Sequence, residues 1–176
     1  MNPSSPSVSI PAPAEPIRAT LGFQALLSTS SAIGPIFLRL TVAAVMFPHG
    51  AQKLLGWFGG YGFEGTMQFF TVQMGIPYLL ALGAILVEFF TPLLLVFGLA
   101  TRASAIAMAI VMAVAMVMVQ WQYGFFMNWY GQQEGEGIQF TVLLLGALTA
   151  LIVSGGGALS LDRSIMRASG SAQVSR

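Results

Sequence analysis

Between residues 34 and 154 the chain is written as four apolar stretches, about 34–56, 77–100, 102–121 and 137–154, parted by polar or glycine-rich breaks. Each approaches the ~20 residues needed to cross ~30 Å of hydrocarbon, so the pattern predicts four transmembrane helices. Gly34-Pro35 opens the first, proline being suited to a first helical turn, and the run LLGWFGGYGFEG ends it. The short turn Ala100-Thr101-Arg102 implies that the second and third helices are antiparallel neighbours. In helix three, Ala105, Ala109 and Ala113 recur at helical spacing and permit close packing, beside a pliable stripe of Met108, Met112 and Met116. Gly155-Gly156-Gly157 stops the fourth.

The flanks break this pattern. Residues 1–33, rich in Pro, Ser and Ala at their start, read as a disordered or interfacial N-terminal tail, and 164–176 as a flexible C-terminal tail. Basic residues near the helix ends are lopsided: Arg18, Arg39, Arg102, Arg163, Arg167 and Arg176 fall on one side, Lys53 alone on the other. Cytoplasmic segments carry the excess of Lys and Arg, which places both termini in the cytoplasm. The expectation is an all-α, four-transmembrane-helix bundle crossing the inner (plasma) membrane, with the aromatic loop 57–76 and the loop NWYGQQEGEG on the outer face.

Composition agrees and then excludes. Of 176 residues 56% are hydrophobic and 7% charged, far from the roughly 25% charged residues of a soluble domain. The lipid bilayer is the first partner. The net charge is +1 and the basic residues are scattered, so no face is offered to nucleic acid. With no cysteine the chain forms no disulfide, holds no iron–sulfur cluster and carries no reactive thiol, and with one histidine it cannot make bis-histidine haem. Redox chemistry here needs a borrowed cofactor or a membrane-soluble carrier.

Polar residues inside the apolar stretches are the candidate chemistry. Arg39, His49 and Lys53 stand in the first and Glu88 midway along the second, where a charge costs roughly 2.5 to 3.5 kcal/mol on insertion scales. Pro48 predicts a kink near Ala44, and Pro92 frees the Glu88 carbonyl from its helical donor. His49 and Lys53, four apart, read equally as a proton- or anion-handling pair and as a helix cap beside a snorkelling lysine. Arg39 and Glu88, offset by about 8 Å in depth at 1.5 Å per residue, are expected partners, either as a structural salt bridge or with Glu88 open to a proton path. Gln139 and Trp129 join them from the outer face, and Trp57 lies in the loop above. Glu134 and Glu136 with His49 are too few and too flexible for a metal site, and none is expected.

The segments LRLTVAAVMFPHGAQKLLGWFGGYG, VEFFTPLLLVFGLATR, FFMNWYG, GEGIQF and GGGALSLDR occur in an order that resembles the DoxX family of small four-helix membrane proteins, from about Ile36 to Arg163. Members resemble the smaller subunit of an archaeal thiosulfate:quinone oxidoreductase, or are implicated in oxidative stress and in resistance to quinones and catechols. The resemblance implies a membrane component of a quinone-linked oxidoreductase or redox-stress system. A quinone would meet His49, Lys53 and Glu88 as proton-handling groups and Arg39, Gln139, Trp57 and Trp129 as a binding surface, with electrons supplied by a soluble partner protein. Family members often open helix four with glutamate and histidine where this chain has Gln139 and Thr141, so those positions carry no proton here. Two other readings remain: a small-solute transporter acting as a homo-oligomer, and an organising subunit without catalysis.

Overall fold

The computed structural model describes residues 27–29 and 31–174, so the N-terminal tail up to residue 26, with Arg18, and the terminal Arg176 lie outside the described residues. All regular structure among the described residues is helical. Helix α1 spans Gly34–Leu55 and is followed by a 3-10 turn, Trp57–Gly59. Helix α2, Gly62–Gln68, runs into a π turn, Phe69–Gln73. Helix α3 spans Tyr78–Phe97; α4 spans Thr101–Ala115 and continues through a π turn to Gln120 and a 3-10 turn to Tyr123. Helices α5, Gln139–Ser154, and α6, Leu161–Val174, complete the chain.

The four apolar stretches thus become α1, α3, α4 and α5 with ends shifted by a few residues. Two are long and apolar enough to cross a membrane, Tyr78–Phe97 and Thr101–Tyr123, with mean hydropathies of 2.4 and 2.2. α1 has 22 residues but carries Arg39, His49 and Lys53; α5 has 16, about 24 Å of helix. α1 packs on α3, α3 on α4 and α4 on α5, around a core that includes Met46, Leu95, Met108, Leu148 and Leu151.

One glycine sets the register of α1 on α3. A Cβ built on Gly50 would lie 2.6 Å from both Glu88 C and Phe89 Cα, so a side chain there would force the helices apart. Glu88 is where Pro92 removes the i+4 donor, so the close approach falls on a carbonyl released from its own helix. α1 itself continues through Pro48 and ends at Gly56, in the left-handed conformation (φ +72°), whose N–H bonds the Ala51 carbonyl.

Two segments differ from the sequence pattern. The aromatic loop contains α2, whose periodicity is masked by Gly62 and Gly65. The tail expected to be flexible over 164–176 is helical to Val174, in a helix whose first turn is tied to the α3–α4 turn through Asp162.

Candidate functional site

Gly50 fixes what Glu88 can reach. α1 and α3 run antiparallel with Gly50 level with Glu88, and Lys53 stands one turn farther toward the end of α1. Its ammonium donates to Glu88 Oε2 and forms an ion pair. The side chains differ in exposure, 29% for Lys53 and 4% for Glu88, so the carboxylate is sealed behind the lysine. A carboxylate this far from water requires such a partner. His49 is exposed beside them, one helical turn before Lys53, within electrostatic reach of both charges.

The outer side of Lys53 borders a cleft of about 320 Å³ lined by Gln52, Lys53, Gly59, Gly60, Tyr61, Thr66, Phe69 and Phe70. Its wall is local chemistry. Gln52 Nε2 donates to the Phe58 carbonyl at 3.2 Å, holding Phe58 in the left-handed region (φ +52°), and Gly60 passes so close to Gln52 that a Cβ would fall 2.5 Å from Gln52 Cα. The turn therefore folds back onto α1. The π turn at Phe69–Gln73 carries Phe69 and Phe70 into the wall, a local widening of the kind that recurs at functional sites. One cation, an amide, two hydroxyls and two phenyl rings are the equipment for a flat amphiphilic ring with a polar oxygen.

Arg39 is not part of this site. It is eleven residues from Gly50, about 16 Å along α1, and lies against Gly98 at the other end of α3. The expected Arg39–Glu88 pair is therefore corrected: the cation paired with Glu88 is Lys53, and the depth estimate fails because the ends of α1 and α3 are not level. Arg39 Nη2 donates to the Leu159 carbonyl, and Asp162 is within electrostatic reach. Asp162, 1% exposed, accepts from the N–H groups of Ala100 (2.6 Å) and Thr101 (2.9 Å) and so caps α4. It is a buried anchor. Arg102 closes the same end with bonds to the carbonyls of Ser28 (3.0 Å) and Val153 (2.9 Å).

Gln139 and Trp129 form a third place. Together with Met127, Phe140, Val142 and Leu143 they line an open, mostly apolar cleft of about 380 Å³ where the loop after α4 meets the start of α5. Gln139 Oε1 accepts from the Met127 N–H at 3.4 Å, and Trp129 is 77% exposed. Thr141 is buried and donates to Gln120 Oε1 at 2.6 Å, so the position holds a neutral hydrogen bond. Trp57 is exposed in the turn that supplies Gly59 and Gly60 to the first cleft, edge-on to Phe58 at 6.4 Å. Glu136 accepts from the Asn128 N–H at 2.7 Å, and among the described residues no three His, Asp or Glu side chains gather as metal ligands.

Of the seven candidates, the structure brings together His49, Lys53 and Glu88, with Trp57 near them; it places Gln139 with Trp129 and sets Arg39 apart. The aromatic loop supplies Tyr61, Phe69 and Phe70 to the wall, and sequence reasoning misses Gln52 and Thr66. For Thr66 the signal is its helical spacing with Phe69 and Phe70 within a stretch that its glycines present as loop.

Comparison with known proteins covers the same ground. A protein of Bacillus subtilis (strain 168) described as "Putative oxidoreductase CatD" is 29% identical over 149 residues, 85% of this chain and 99% of that protein. No solved structure matches the chain. The family model for DoxX matches residues 34–121, half of the chain and the part that holds Arg39, His49, Lys53, Glu88 and the cleft that Lys53 lines. The chain belongs to the DoxX family of membrane proteins.

Proposed function

We propose that this protein is a multi-pass component of the plasma membrane in a quinone-linked oxidoreductase or redox-stress system, and that the cleft at Lys53 receives the ring. The observation that carries the reading is a buried carboxylate, Glu88, held by a lysine whose other side borders an aromatic cleft. Such a pair presents a cation to a ring oxygen and keeps a proton acceptor behind it. The oxidoreductase description of the Bacillus relative is in keeping with this reading. Four spans, both termini in the cytoplasm and Lys53 toward the outer face complete it, since Arg39, Arg102 and Arg163 gather at the end opposite Lys53. Electrons come from a soluble partner protein, because the chain has no group that stores them.

The arrangement gives less support to a transport path. Between Glu88 and the Arg39 end lie Val42, Met46, Leu95 and Met108, all buried and apolar. Thr91, the buried hydroxyl one turn from Glu88 toward that end, is spent on the Val87 carbonyl of its own helix at 2.7 Å.

The test is titration of the detergent-solubilised protein with a short-chain quinone, following tryptophan fluorescence in Trp57→Phe and Trp129→Phe backgrounds. Saturable quenching that is lost with Trp57 and weakened by Lys53→Met supports the Lys53 cleft. Quenching lost with Trp129 moves the ring to the Gln139 cleft. Linear quenching in every variant means partition into the micelle and ends the proposal.

A further inference from the structure

We infer that the Lys53–Glu88 pair takes up aromatic hydroxyl compounds as their anions and keeps the released proton inside the protein, on Glu88; this rests on the ring site proposed above. Lys53 touches both partners in the exchange. Its ammonium holds Glu88 Oε2, and the residue lines the cleft. A phenol or hydroquinone entering beside Phe69 and Phe70 brings its O–H to the lysine, where Tyr61 and Thr66 are the neighbouring hydroxyl groups.

The charges then decide the outcome. Before binding, one cation faces one anion. If the compound bound as a phenolate while Glu88 stayed ionised, two anions would share one lysine, and the one sealed from water would be left uncompensated. A buried charge in that position neutralises rather than remaining bare. Lys53 passes a proton to Glu88, and the O–H of the compound passes its proton to Lys53. The O–H bond breaks, a carboxylic O–H forms, the ammonium is restored, and no electron moves. Net charge is the same before and after, so the exchange proceeds within a site closed to solvent on the Glu88 side. The result is an electron-rich phenolate held by a cation, the form of a hydroquinone that gives up electrons most readily. His49, one turn before Lys53 and within electrostatic reach of both charges, is the titratable neighbour on α1 that takes the proton on once the product leaves. Gly50 is what allows Glu88 to stand at this level at all.

The experiment uses 4-nitrophenol, colourless as the phenol and yellow as the phenolate, added to the full chain in detergent at a pH where the free compound is colourless, with empty micelles as the blank. Absorbance reads the ionisation state, and an indicator in weakly buffered solution reads protons released. The expected result is saturable yellow binding with no proton released to the medium. In Glu88→Gln the internal acceptor is gone while Lys53 remains, so the compound still binds yellow but now releases one proton for each molecule bound. In the double variant Lys53→Met/Glu88→Gln, which leaves no unpaired charge behind, the yellow form disappears. Wild-type binding that is colourless, or yellow with stoichiometric proton release, overturns the inference and leaves the ring site standing. A double variant that still binds yellow places the anion elsewhere and also overturns it. Absence of saturable binding to the wild type removes the ring site and the inference together.

Discussion

The two ends of the bundle solve the same electrostatic problem in opposite ways. At each end an acid is buried and a cation stands near it: Glu88 with Lys53 at one, Asp162 with Arg39 at the other. Asp162 spends both oxygens on backbone N–H groups of Ala100 and Thr101, and Arg39 reaches the Leu159 carbonyl, so every strong contact ties one chain segment to another. Glu88 receives one side chain, and that side chain is in part exposed to a cleft. An acid fixed by backbone amides cannot change partners without unfolding a turn. An acid held by a single flexible lysine can. Burial of charge alone therefore does not mark a functional site; what marks it is a partner free to be shared with something from outside.

The comparison breaks hardest at the closed end. Asp162→Ala removes the cap of α4 and leaves Arg39 buried with its anion gone, a change expected to cost about 3–5 kcal/mol. Thermal unfolding in detergent should show a larger loss than any single substitution at the Lys53 end produces. Limited proteolysis should cut before α6 at protease levels that spare the parent, while quinone binding by the surviving folded fraction persists.

At the open end the loss depends on which partner goes. Lys53→Met strands the sealed carboxylate, whereas Glu88→Gln leaves a lysine that can swing to water. The first should destabilise by about 2–3 kcal/mol and the second by about 1 kcal/mol, with the double variant recovering much of the first loss. A thermodynamic cycle over the four proteins measures this, and equal single losses would mean that the lysine is as trapped as the acid.

Gly50→Ala tests the register that divides the ends. Its methyl group would meet Glu88 C and Phe89 Cα, backbone atoms that cannot rotate away. Overpacking of this kind costs about 1–3 kcal/mol. It should also weaken ligand binding at the Lys53 cleft, by pushing α3 and Glu88 outward, which a pure stability effect would not do once binding is normalised to folded protein.

How far the sequence reveals this is uneven for physical reasons. The four long helices are legible because hydropathy is a property of each segment by itself. His49, Lys53 and Glu88 are legible as a set because a charge in an apolar helix is expensive wherever it sits. The partner of Glu88 is not. Depth counted from the helix ends takes those ends as level, yet Gly50 stands about 8 Å from the end of α1 and Glu88 about 15 Å from the start of α3. One glycine contact, invisible in any single segment, moves Arg39 out of reach and brings Lys53 in. Asp162 is hidden for a similar reason: its two hydrogen bonds cross some sixty residues of chain, and SLDR after a glycine run looks like a surface sequence.

The smallest effect contrasts two strained residues, one at each end. Among the described residues, Ala100 (φ +49°) and Phe58 (φ +52°) are the non-glycine positions with left-handed backbone, a conformation that costs roughly 1–2 kcal/mol. Ala100 has almost no side chain to lose, and its N–H bond to Asp162 is a backbone bond that glycine keeps. Ala100→Gly should therefore stabilise by about 0.5–1 kcal/mol, the relief of strain offset in part by a more flexible unfolded chain. Phe58→Gly relieves the same strain but removes a ring that packs edge-on against Trp57, in the turn that supplies Gly59 and Gly60 to the cleft. Its unfolding midpoint should move less than that of Ala100→Gly, and its quinone affinity should fall where that of Ala100→Gly does not. If both variants gain stability and neither loses affinity, the strain at Phe58 is incidental to the turn. If only Phe58→Gly loses affinity, the open end holds its strained aromatic for the ligand, while the closed end holds its strained alanine for the fold.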